Sequence, residues 1–108
     1  MVMEQGEITK EIQSIVDQLI RKYDPLKIIL FGSAGRGEYD KVNDLDFLII
    51  KADVPRQGLA RMRELDEIIE RNIAADMLVY RPEELEDRIK LGDPFIKTIM
   101  REGRVLYG

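Results

Sequence analysis

The sequence predicts an α/β (α+β) fold, a small mixed β-sheet with helices packed on it. Three observations lead there. Short runs rich in Ile and Leu alternate with segments whose apolar residues recur at helical spacing. The runs are bounded by Gly, Pro and Asp, as strands are. No internal repeat, low-complexity tract or linker divides the chain, so residues 1–108 read as one domain.

Ile8, Ile12, Ile15, Val16, Leu19, Ile20 and Tyr23 share one face of a helix expected over residues 9–23. Glu11, Asp17, Arg21 and Lys22 lie opposite, and Asp24-Pro25 closes it. Residues 26–31, apolar apart from Lys27, form a buried strand between Pro25 and Gly32. Residues 32–43 must then turn, with one or two helical turns beginning at Ser33. Residues 45–50 are apolar on both faces after Asp46, as a central strand would be.

Pro55 can open the next helix, which Leu59, Met62, Leu65, Ile68, Ile69 and Ile73 continue, with Arg56, Arg61, Arg63, Glu64, Glu67 and Glu70 outward. Residues 75–80 are a third strand. Arg81-Pro82 starts a helix with Glu83 and Glu84 in its first turn, where the dipole favours acids, and Leu85, Ile89 and Leu91 as its apolar side. Gly92-Asp93-Pro94 breaks the chain and caps a last helix reaching to Gly103. Its Phe95, Ile96, Ile99 and Met100 are expected in the core, with an interface as the alternative. Residues 105–107 suit a short edge strand.

Composition limits the chemistry. A formal net charge of −4 argues against direct nucleic-acid binding, which depends on Lys and Arg neutralising phosphates. Without cysteine or histidine, no thiolate, disulfide or imidazole is available. Carboxylates, hydroxyls, Lys, Arg and backbone amides must do the work. The first residues lack the apolar core of a signal peptide, and no run approaches a membrane span, so a cytoplasmic protein with no membrane partner is expected.

Such chemistry concentrates in residues 28–50. An apolar run ends in Gly32-Ser33, where glycine lets backbone amides approach a phosphate, the helix start offers free N–H groups, and Arg36 lies one turn on. Taken alone, Gly-Ser at a strand end is usually only a turn. Asp44 and Asp46 leave the same face of a strand. At about 4 to 6 Å they repel by about 3 to 4 kcal/mol at an effective dielectric of 20, a penalty that a hard divalent cation such as Mg²⁺ removes. The bland alternative is a solvated Asp-x-Asp. Asp76 heads the third strand; an antiparallel first pair and a helical crossover over residues 52–75 would bring it beside the other two acids.

Gly32-Ser33, ten residues, Asp44-x-Asp46 and a later strand acid resemble the signature of the DNA polymerase beta-like nucleotidyltransferase superfamily. The compact size is similar to its minimal nucleotidyltransferase (MntA-type antitoxin) branch. That resemblance implies a polymerase beta-like fold, Gly32 and Ser33 on the triphosphate of ATP, and Asp44, Asp46 and Asp76 as catalytic acids and ligands of two Mg²⁺ ions. It implies AMP transfer to a hydroxyl, the acceptor a tyrosine on a HEPN-domain toxin, with homo- or hetero-oligomers expected. Two positions depart from the branch: Gly35 stands where alanine is common, costing the short helix about 1 kcal/mol, and Asn43 stands where serine is common. A different class also fits, a silent nucleotide-binding module that neutralises its partner by forming a complex. A purely structural domain is the third reading.

Overall fold

The computed structural model describes residues 4–108 and contains four strands and five helices in those residues. The reading of an N-terminus without an apolar leader rests in part on residues 1–3, outside the described residues.

Helix α1 (Gln5–Tyr23) starts earlier than its apolar periodicity, because polar residues extend the first turn, and buries Ile8, Ile12, Ile15, Val16 and Leu19. Asp24 ends it in the left-handed region at φ 54°, its N–H closing on the Leu19 carbonyl at 3.1 Å. Asp tolerates this conformation better than most residues. Strands β1 (Lys27–Phe31) and β2 (Asp44–Ile50) pair antiparallel, and between them lie the one-turn helix α2 (Gly32–Gly35) and a 3₁₀ turn (Tyr39–Lys41). Helix α3 (Gly58–Ile68) is the crossover to β3 (Ala74–Tyr80), which pairs parallel to β2. Helices α4 (Pro82–Leu91) and α5 (Pro94–Glu102) lead to β4 (Arg104–Tyr107), antiparallel to β1. The sheet order is β3-β2-β1-β4.

Strand alternation divides the core into two layers. Ile28, Leu30, Leu45, Phe47, Ile49, Met77 and Val79 pack beneath α1 and Leu65 of α3. Ile29, Leu48 and Ile50 face Ile96 and Ile99 of α5, with Leu85 of α4 at the margin. Both central strands are therefore covered on both faces, which their continuous apolar runs required.

Three expectations need correcting. Helix α3 begins at Gly58 rather than Pro55, and Ile69 and Ile73 are buried beyond its end. The cause is Arg61, expected outward but 2% exposed. Its guanidinium donates to the Pro55, Arg56 and Val79 carbonyls and to both oxygens of Glu84, so the chain from Pro55 curls around it instead of entering the helix. Glu84 also accepts from the Arg81 N–H at 2.7 Å, and Arg61 holds its carboxyl below the usual range. Finally, Leu59, Ile89 and Leu91 lie at the surface, as do Phe95 and Met100, leaving Leu85, Ile96 and Ile99 to carry the inner faces of α4 and α5.

Candidate active site

The candidate residues meet at one end of the sheet. Register sets Phe31 of β1 opposite Asp46 of β2, and Asp46 opposite Asp76 of β3. Neighbouring strands lie about 4.8 Å apart, and Asp44 stands two residues before Asp46 on the same face, about 6.7 Å along the strand. All three acids share the face of Leu48, Ile50 and α5, beyond the last apolar layer. Asp44 and Asp76 are exposed, and Asp46 is half-buried.

Asp46 shows the electrostatic consequence. Its pKa is raised from 3.8 to about 6, by burial first, then by the negative charges of Asp44 and Asp76, and last by a hydrogen bond with Asp76. The site therefore favours a proton on Asp46, or another positive charge beside it. Among the described residues no three carboxylates form a ready-made metal cage. The donor set still fits a hard cation, because the repulsion that raises the Asp46 pKa is removed when a cation stands among the three carboxylates.

Gly32 closes the other side. Its φ of 69° is left-handed, and a Cβ there would fall on the Oδ2 of Asp46. Glycine is required twice, by conformation and by the close approach of a carboxylate. The α2 turn is held by Arg36 N–H to the Gly32 carbonyl at 3.1 Å and Glu38 N–H to the Ser33 carbonyl at 2.9 Å. The Arg36 guanidinium lies against two carboxylates, 3.2 Å from Glu38 and 3.5 Å from Glu102. Any anion reaching Arg36 must compete with them.

The sequence model of the nucleotidyltransferase domain family matches residues 10–106. The chain belongs to this family. A protein of Methanocaldococcus jannaschii named "Putative protein adenylyltransferase" is 34% identical over 100 aligned residues, 91% of this chain and 96% of its own. Another protein of that organism with the same designation is 27% identical over 109 aligned positions, 91% of this chain and 73% of its own. No solved structure gives a significant match. The mixed sheet agrees with the nucleotidyltransferase fold expected, and membership makes a nucleotide the substrate. Among the described residues no helix is long and apolar enough to cross a membrane.

Within this nucleotidyltransferase, some site-shaping residues carried little or no sequence signal. Glu38, two residues after Arg36, could have been suspected as its partner; Glu102, 66 positions away, could not. Gly35 has a tertiary role that helix propensity missed. A Cβ there would stand 2.5 Å from the Leu30 carbonyl oxygen, so alanine would push α2 off β1. A cavity of about 230 Å³ opens beside Gly32 and Arg36, walled by Phe31, Phe95, Thr98, Ile99 and Glu102. A larger open depression of about 400 Å³, lined by Pro55, Leu59, Arg63 and Glu67, lies at the opposite end of the sheet and takes no part in this arrangement.

Proposed function

We propose that this nucleotidyltransferase transfers AMP from ATP to a hydroxyl on a protein, and that residues 1–108 act as one domain in the cytoplasm. The observation that carries the reading is the acid cluster pressed against a glycine turn, Gly32 touching the position of Asp46 that lies between Asp44 and Asp76. Phosphoryl transfer needs positioning and charge neutralisation more than a covalent catalyst, which suits a chain lacking histidine and cysteine. The names of the relatives support a protein acceptor.

Gly32 and Ser33 hold the β- and γ-phosphates through backbone N–H groups and the hydroxyl, with Arg36 released from its carboxylates toward them. Asp44, Asp46 and Asp76 would hold two Mg²⁺ ions, which when bound neutralise charge on the triphosphate and the departing pyrophosphate. Asp76 takes the proton of the acceptor hydroxyl. The hydroxyl oxygen bonds to the α-phosphorus as the bond to the bridging oxygen breaks and pyrophosphate leaves. We assign the acceptor to a tyrosine on a HEPN-domain partner, with the chain acting as antitoxin in a hetero-oligomer.

A second reading, a silent nucleotide-binding module that neutralises the partner by complex formation, draws support from Leu91, Phe95 and Met100, apolar and exposed on α4 and α5. One experiment separates them. With labelled ATP and Mg²⁺, the HEPN partner should take up label, and Asp44→Asn should abolish both labelling and neutralisation. Labelling that survives Asp44→Asn sinks the enzymatic assignment; neutralisation that survives it without labelling favours the silent module.

A further inference from the structure

Resting on that reading, we propose that Glu38 and Glu102 form an exchangeable clamp on Arg36, an internal competitor that the triphosphate displaces on binding and that retakes the guanidinium as pyrophosphate leaves. The clamp sets how tightly phosphate chains are held, at entry and at exit.

All three nitrogens of the guanidinium are engaged. Nε and Nη2 of Arg36 lie 3.3 and 3.2 Å from one oxygen of Glu38, and Nη1 lies 3.5 Å from Oε2 of Glu102. Arginine presents its donors in a planar fork that suits carboxylate and phosphate oxygens alike, so these carboxylates stand where phosphate oxygens would. Until they yield, the donors are occupied.

The surroundings allow the exchange. The three side chains are 34 to 41% exposed, so water screens the pairs and each contributes little to the fold. Each carboxylate also keeps a second cation when Arg36 departs. The other oxygen of Glu102 stands 3.6 Å from Arg101, while the Glu38 carboxyl is held below its usual range first by its hydrogen bond with Arg36 and also by the charge of Lys41. Departure therefore leaves neither carboxylate alone. Arg61 shows the contrary arrangement, 2% exposed and bound to three carbonyls as well as Glu84, a setting from which a guanidinium does not leave.

The two anchors come from different parts of the fold. Glu38 follows Arg36 by two residues, whereas Glu102 ends α5, so the clamp also ties the α2 turn to that helix. A phosphate chain brings several charges and several oxygens at once, which lets it displace carboxylates that a single weak anion would leave in place.

Calorimetric titration of the intact protein with inorganic tripolyphosphate and with pyrophosphate, each with Mg²⁺, tests this. Glu38→Gln and Glu102→Gln should each tighten both ligands about threefold, and the double variant about tenfold. Arg36→Gln should weaken both about tenfold. In that background the glutamine substitutions should lose most of their gain, because no guanidinium remains to be freed. If the whole gain persists with Arg36→Gln, the two glutamates act only as nearby charges and the clamp is overturned. The clamp also fails if the double variant binds both ligands no more tightly than the wild type while Arg36→Gln weakens them, and the phosphate reading then stands. Melting temperatures of the glutamine variants should match the wild type; a clear fall would make the pairs structural and overturn the exchange. A wild type that binds neither tripolyphosphate nor ATP overturns the underlying function as well.

Discussion

On one face of the sheet α1 and α3 seal a continuous apolar layer running from Ile8 to Val79; on the other, α5 and Leu85 cover only the middle, around Ile29, Leu48 and Ile50. Beyond that thin cover stand Asp44, Asp46 and Asp76 on one side and the Phe95 cavity on the other. The first face provides stability. The second leaves charged groups near water, where burial without a partner would cost too much. A site of three like charges is tolerated because the opposite face, with Phe47, Leu45 and Ile15 fully buried, carries the fold.

That contrast can be broken from either side. The largest expected effect is on turnover: Asp46→Asn should lower the labelling rate about a thousandfold, several kcal/mol of charge stabilisation, while the melting temperature stays level or rises because a repelled carboxylate is gone. A clear fall in melting temperature would mean that Asp46 serves the fold. On the sealed face, Phe47→Ala should cost about 4 kcal/mol in denaturant unfolding, against less than about 1 kcal/mol for the half-exposed Phe95→Ala. Comparable losses would erase the distinction.

Arg61→Met comes next, at about 3 kcal/mol, because a buried guanidinium leaves three carbonyls and Glu84 without their donor. Chemical denaturation of the variant checks it, and a loss below about 1 kcal/mol would show that water replaces the guanidinium.

The pH dependence sharpens the site face. The folded pKa of Asp46, about 6, lies above its ordinary 3.8, so the folded state binds the proton more tightly. This contribution is fully present below about pH 4 and is lost as pH rises through about 6. Metal-free protein should therefore lose stability across that window, and Asp46→Asn should flatten the curve. Thermal melts at several pH values without divalent ions decide. The smallest effect belongs to the sealed face. The Tyr23 hydroxyl is buried with no hydrogen-bond partner among the described residues, and its pKa is pushed up to about 12, chiefly by burial. Tyr23→Phe should leave stability unchanged or raise it by about 1 kcal/mol, whereas a loss would reveal a hidden partner.

Much of this was legible beforehand, and the reasons are local. The strands at residues 26–31, 45–50 and 75–80 emerged within a residue of their true bounds because their apolar runs are interrupted by Gly, Pro and Asp. The connection over residues 52–75 is long enough for the parallel crossover observed, whereas the antiparallel first pair entered the sequence reading only as a condition. Arg61 was misplaced because helical spacing does not say which charged side chain a loop will wrap. Leu91 and Phe95 were misjudged because an apolar helix face looks the same whether a neighbour covers it or not.

The sequence by itself determined the order of elements, the chemistry open to a chain without His or Cys, and the short list Gly32, Ser33, Arg36, Asp44, Asp46 and Asp76. Those follow from periodicity and side-chain type, which are properties of neighbours along the chain. Only the tertiary structure decided that Gly32 must make room for Asp46, that Gly35 must clear the Leu30 carbonyl, that Glu102 holds Arg36, and that α5 opens a cavity beside the Gly32 turn. Each depends on distances between residues remote in sequence, set by how helices settle on a sheet, and no local pattern encodes them.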